Sequence, residues 1–269
     1  MPAEPGSAAS NSTPLVDPIP GEPAAVARID GARALVVADY HAGIEAGLRY
    51  ERGVELESNA DLRRLRLLGL VDRVDPDRLI LLGDLGHRVG EPDGPEADEL
   101  DALVTAVVDR IPVTLVPGNH DGGVGERFDD DGRFTRADPA GIRMGRVGFV
   151  HGHTWPSRDA LASEVLCIGH EHPRVRLSDS VGGGRTERAW LRGPLRPEPF
   201  AAHCGVAVAD LEWTGPEAVV FPAFNARSGG ARVNVERAFL SPFLPDALVA
   251  DRTDAYLLDG TRLGPYRSV

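Results

Sequence analysis

Five apolar runs in this chain each stop at a residue able to hold a metal ion, and no other feature constrains the fold as tightly. The run at 34–38 ends at Asp39, 79–82 at Gly83-Asp84 and 113–116 at Pro117-Gly118-Asn119-His120. The run at 147–150 ends at His151, and 166–168 at Gly169-His170. Short continuous runs of Val, Ile and Leu read as strands buried on both faces. Open α/β sheets collect ligands at the carboxyl ends of their strands. A fold that aligns these ends brings Asp39, Asp84, Asn119, His151 and His170 into one cleft. One such residue after a strand is ordinary; five in succession are not.

The intervening sequence supports alternation of strands with helices. Residues 58–74 carry Leu62, Leu65, Leu68 and Leu70 near helical spacing with arginines between them, and 97–110 reads as a second helix. A strand is expected at 24–29, and later ones at 207–212, 218–221 and 255–258. The Gly-, Arg- and Pro-rich stretch 181–199 reads as a long loop around one short strand near Trp190-Leu191. Residues 1–23 are rich in Pro, Ala, Ser and Gly and read as a disordered tail, leaving 24–269 as one domain.

Taken singly, the motifs have plain explanations. Asp39-Tyr40-His41 fits a turn, Gly83-Asp84 is a common turn dipeptide, and Gly118-Asn119-His120-Asp121 suits a tight turn. Taken together they form an oxygen- and nitrogen-rich set. A carboxylate such as Asp84 has two oxygens and can bridge two cations. Four of the eight histidines fall in His151-Gly152-His153 and His170-Glu171-His172, which core packing explains poorly. His151 follows its strand directly. His153 offers the same chemistry as a ligand in its place, or as a group facing the ligands or the substrate. His87 reads either as a residue of the cleft rim or as a solvated histidine, and Arg88, Arg127 and Arg158 as possible phosphate contacts with little to single them out.

In order, residue type and strand context, 39–172 resembles the calcineurin-like metallophosphoesterases. That resemblance implies a four-layer α/β/β/α sandwich. It implies one metal held by Asp39, His41, Asp84 and His172, and a second held by Asp84, Asn119, His151 and His170. The donors suit Mn²⁺, Fe or Zn²⁺, and the habit of the family favours Mn²⁺. The mechanism implied is hydrolysis by a hydroxide bridging the two cations. His120 would stabilise charge on the phosphate or protonate the leaving oxygen, and Asp121 would orient His120 by a hydrogen bond. A narrower likeness rests on 38–45 (ADYHAGIE), His170-Glu171-His172-Pro173, Ala189-Trp190-Leu191 and 221–230 (FPAFNARSGG). It is to the DNA-ligase-associated phosphoesterases, their archaeal relatives and repair nucleases. It implies phosphodiester substrates, either cyclic nucleotides or nucleic-acid ends. A capping domain of the kind that grips DNA is not evident after His172. The acidic stretch 122–146, with Asp129-Asp130-Asp131, favours a small diester over a duplex.

The formal net charge is −12 and the chain has no lysine, the composition of a salt-adapted source. High salt shortens the reach of surface charge to about 3 Å at 1 M, so acidity says little here about an anionic substrate. The start of the chain lacks the basic segment and apolar run of a secretory signal, and no stretch approaches a membrane span. A cytoplasmic protein with Cys167 and Cys204 as free thiols is expected. A structural zinc site is disfavoured, because such sites are closed Cys/His tetrahedra. A metal-binding scaffold for a DNA-repair or RNA-processing assembly is the alternative to an enzyme. Keeping every ligand together with His120 favours the enzyme.

Overall fold

The computed structural model describes residues 13–124, 128, 132–179, 182–236 and 238–269. Its strands are β1 Val16–Pro18, β2 Ala24–Ile29, β3 Ala32–Ala38, β4 Arg78–Leu82, β5 Val113–Val116, β6 Phe134–Arg136 and β7 Ile142–Met144. They continue with β8 Val147–Val150, β9 Val165–Ile168, β10 Arg174–Ser178, β11 Gly184–Pro194, β12 Glu217–Val220, β13 Asp254–Leu257 and β14 Arg262–Pro265. The helices are α1 Ile44–Arg52, α2 Ala60–Val74, α3 Gly94–Val108, α4 Arg158–Leu161 and α5 Glu198–Cys204. One sheet runs β1-β2-β3-β4-β5-β6; the other runs β14-β13-β11-β12-β9-β8-β7, with β10 paired to β11. The central strands β3-β4-β5 and β8-β9-β12 are parallel.

Side chains alternate across each strand, and three separate cores result. On β3 and β4, Leu35, Val37, Leu79 and Leu81 pack under α2 and α3, against Leu67, Leu70, Leu100 and Val107. Val36, Ile80 and Leu82 face the opposite way. They meet Phe149, Cys167, Trp190, Val219 and Phe221 between the two sheets. Leu166, Ile168 and Val220 turn outward again, beneath α4 and α5. Two sheets buried on both faces and flanked by helices make the four layers expected.

Several elements differ from the sequence reading. Residues 1–12 of the expected tail lie outside the described residues, but Val16 is fully buried and β1 pairs with β2. The short Leu15-Val16 pair is masked in sequence by its proline-rich neighbours. The expected loop at 181–199 is largely β11, eleven residues long; it gains regular structure by pairing with β10, β12 and β13. The expected strand at 207–212 holds only a 3₁₀ turn, Val208–Asp210, with its residues largely exposed. Arg127 and Asp129-Asp130-Asp131 lie outside the described residues.

Candidate metal centre

The parallel strands deliver the expected residues to one place. Asp39, His41 and His172 form one group, and Asp84, His151 and His170 another; within each, one donor atom per residue lies within 4.8 Å of the others. Each group draws on both sheets. The spacing is tight: His172 Nε2 is 3.2 Å from Asp39 Oδ1, His151 Nε2 is 3.4 Å from Asp84 Oδ1, and His41 Nε2 is 3.9 Å from Asp84 Oδ2. His41 Nε2 and His172 Nε2 stand 3.4 Å apart. His151 is fully buried, and its Nδ1 faces the Leu82 carbonyl at 2.9 Å. That contact keeps a proton on Nδ1, so Nε2, which has no hydrogen-bond partner, is the atom that would offer a lone pair to a cation. An imidazole oriented in this way is a ready ligand.

Backbone geometry shows what the fold accepts to hold this arrangement. Among the described residues other than glycine, seven have positive φ, and five of these are Asp39, His41, Asp84, His170 and His172. Left-handed backbone at such residues is uncommon and concentrates where function fixes the conformation. Two glycines clear the space: a Cβ on Gly83 would lie 2.3 Å from the His151 ring, and one on Gly118 would lie 2.2 Å from Asp84 Oδ1.

The electrostatics match an assembly built for cations. Burial, with His172 alongside, pushes the His41 imidazole down to about 3, and burial with His151 pushes His170 down to about 4. Both are therefore neutral with a lone pair to give. Burial acts to raise Asp39 and Asp84, but the neighbouring histidines hold both below the usual carboxylate range. His151 is driven down by burial yet up by Asp84, and ends at about 9. Metal-free, His151 thus keeps a proton beside the two carboxylates, and a bound cation would displace it. The fit of these donors to divalent metals is good: oxygen and nitrogen atoms, no thiol, and an orphaned buried Nε2.

The other expected residues divide. His120 donates its backbone N–H to Asp84 Oδ1 at 3.0 Å, its Nε2 lies 3.9 Å from Asp84 Oδ2, and its Nδ1 has no partner. The expected hydrogen bond from Asp121 is not made. Both Asp121 oxygens are already occupied: Oδ1 accepts from Leu85 N at 2.8 Å and Gly86 N at 3.2 Å, and Oδ2 from Gly118 N at 2.8 Å. Asp121 ties together the turns after β4 and β5. Burial and then the nearby Asp84 push its carboxyl up to about 6. Asn119 is exposed, one residue before His120. His153 stands outside the two groups, its ring 5.3 Å from His151 and 6.3 Å from His170. His87 is half-buried and stacks on His120 at 6.0 Å, over Gly47 of α1, where a Cβ would strike it at 2.3 Å. His203, outside every motif, stacks on Trp155 at 4.2 Å.

Two residues of the quoted motifs have supporting roles that sequence reasoning did not assign. Buried Asn225 donates Nδ2 to the Tyr40 and His41 carbonyls, at 3.1 and 3.2 Å, and so clamps the Asp39–His41 turn. Glu171, between the two histidines, accepts from Leu240 N and Ser241 N at 2.8 and 2.7 Å. Both act through main-chain groups of distant segments, and sequence spacing does not show which groups those are.

A model of the calcineurin-like phosphoesterase family matches residues 32–220. Among solved structures, nuclease MPE of Pseudomonas putida is similar over 92% of this chain and 100% of its own, at 19% identity and a TM-score of 0.50. That likeness is one of fold. Yfce, a phosphoesterase from E. coli, matches 55% of this chain and 74% of its own, at 19% identity and a TM-score of 0.34. No curated protein matches the chain.

Proposed function

The chain belongs to the calcineurin-like phosphoesterase family, and from that premise we propose that it is a metal-dependent phosphodiesterase with two cations at one centre. The observation that carries this reading is the pair of Asp/His groups at the strand ends, each with a carboxylate and two imidazoles drawn from both sheets. Asp39, His41 and His172 would hold one ion, and His151 and His170 the other. Asp84 lies within 4 Å of both His41 and His151 and would bridge the two. Asn119 would complete the second set. We propose Mn²⁺, to which such oxygen and nitrogen donors are suited. When bound, two divalent cations lower the pKa of water and neutralise charge on a phosphoryl group.

The chain's own side chains supply the rest. His120 sits above Asp84 with Nδ1 unpartnered, placed to meet a phosphate oxygen or to give a proton to the leaving oxygen. His87 and His153 flank the two groups and would bound the space for substrate. A phosphodiester substrate and a place beside the archaeal DNA-ligase-associated and repair-nuclease-related phosphoesterases are supported by the extended motif around Asp39 and the Asn225 loop.

The test is hydrolysis of bis-p-nitrophenyl phosphate against p-nitrophenyl phosphate in high salt with Mn²⁺, using wild type and Asp84→Ala. Diester turnover that disappears in the variant supports the proposal. Silence from a wild type shown to hold metal refutes it and favours the scaffold role.

A further inference from the structure

Strands β10 and β11 form a hairpin that leaves the centre two residues after His172. Its register sets Arg174 directly opposite Arg188. Like charges in that position repel and destabilise a strand pair. Val175 and Leu177 turn toward the core, so Arg174 and Arg176 share the other face with Arg188. On this face the register places Arg174, Arg176, Ser178, Gly184, Thr186 and Arg188, and no carboxylate. Glu187 lies on the opposite face, where it pairs with Arg185.

Carbonyl groups, not acids, hold these arginines. Arg174 Nη2 donates to the Ala226 and Ser228 carbonyls at 3.2 and 3.0 Å, and Arg188 Nη1 to Ala223 at 3.0 Å. Arg174 Nε is buried without a partner. Arg66 stands close by, paired with Glu22; burial first, then Arg66 and Arg174, lower the Arg188 guanidinium to about 10, against the smaller pull of Glu22 and Glu187. The loop that these arginines grip is the one whose Asn225 clamps the Asp39–His41 turn. In a chain of net charge −12, three arginines on one face, of which Arg174 and Arg188 bond carbonyls and not acids, lie one loop from the metal centre and suit an anion. Arg174 and Arg176 are about 7 Å apart along the strand, a step on the scale of successive phosphates.

We propose that this face of the hairpin is a phosphate track for a single strand of nucleic acid, which runs over the 223–228 loop and places one diester at the metal centre. The proposal rests on the phosphodiesterase reading and names its substrate class. Guanidinium groups suit the task because they meet phosphate oxygens through two parallel N–H bonds.

Fluorescence anisotropy of a labelled oligodeoxythymidylate, titrated with the full chain in EDTA across a range of salt, tests it. For single strands, log K falls with log[salt] by about 0.7 for each phosphate contact. Arg176→Ala/Arg188→Gln should therefore lower the slope by about 1.4, and Arg176→Lys/Arg188→Lys should restore most of it. Should the double variant unfold, Arg176→Ala alone, at an exposed site, should lower the slope by about 0.7. An unchanged slope in a folded variant, or a wild type that does not bind the strand, overturns the track. Hydrolysis of bis-p-nitrophenyl phosphate with Mn²⁺, run in parallel, reports separately on the catalytic reading, because the slope is measured without turnover.

Discussion

Asp121 offers the sharpest test of the geometry, because the structure decides between two kinds of work that the sequence left open to it. In sequence, Asp121 reads either as a turn residue before Gly122-Gly123 or, by the family resemblance, as a carboxylate that orients His120. In the structure the carboxylate satisfies three buried backbone donors, Leu85 N, Gly86 N and Gly118 N. Asp121→Ala leaves all three unpaired. At about 1–3 kcal/mol for each unsatisfied donor, and with water entering part of the vacated space, the loss is about 3–6 kcal/mol. That is a large share of the roughly 5–15 kcal/mol typical of a domain. Asp121→Asn can keep its carbonyl on Leu85 and Gly86 but turns an NH₂ toward Gly118 N. It should cost about 1.5–3 kcal/mol, the value of one bond to a charged group. Urea unfolding of the metal-free chain, followed by circular dichroism, measures both. Calorimetric titration with Mn²⁺ should show weaker binding in Asp121→Asn, since the stapled turns carry Asp84 and Asn119. Because Asp121 does not touch the His120 ring, Asp121→Asn and His120→Ala should be additive in stability. The reasoning fails if Asp121→Asn unfolds at the wild-type urea midpoint, loses as much kcat as His120→Ala, and adds nothing when the two are combined.

Two further substitutions probe the frame. Gly83→Ala puts a methyl group 2.3 Å from the His151 ring at a φ of 67°; Mn²⁺ affinity by calorimetry should fall at least about tenfold, in the range seen when support of a ligand is lost, and wild-type affinity would show that His151 does not need its present place. Arg63 is buried between Glu45 and Glu99, with four hydrogen bonds of 2.8–3.1 Å to them. Arg63→Met leaves Glu45 with Arg227 alone and buried Glu99 with only the Gly43 N–H, and should cost about 3–5 kcal/mol in urea unfolding, whereas a loss below 1 kcal/mol would mean that the network contributes little.

The centre was legible because parallel strands buried on both faces must be apolar throughout, so the first polar residue after each run stands out. The same logic located β3, β4, β5, β8 and β9 within about two residues. It failed where structure is secured from elsewhere. β11 is half Gly, Arg and Glu, and becomes a strand only because three neighbours pair with it. α1 shows no apolar run, being short and buried mainly through Ile44, Glu45 and Gly47. Asp121 was identified as important, but not for its actual partners. Main-chain N–H groups are the same at every residue, so which ones a carboxylate reaches is decided by the turn geometry and not by the motif.

The two candidate metal groups are each split between the sheets: Asp39, His41 and Asp84 hang from one, His151, His170 and His172 from the other. Neither sheet owns the chemistry, which exists only along the seam. Phe149, Trp190 and Phe221 fill that seam and so set the gauge of the site without ever meeting a substrate. A change in their bulk would move one bank of donors relative to the other by fractions of an ångström. Inactive forms of this protein can therefore arise with every ligand intact, and a search for loss of function confined to the cleft would overlook them.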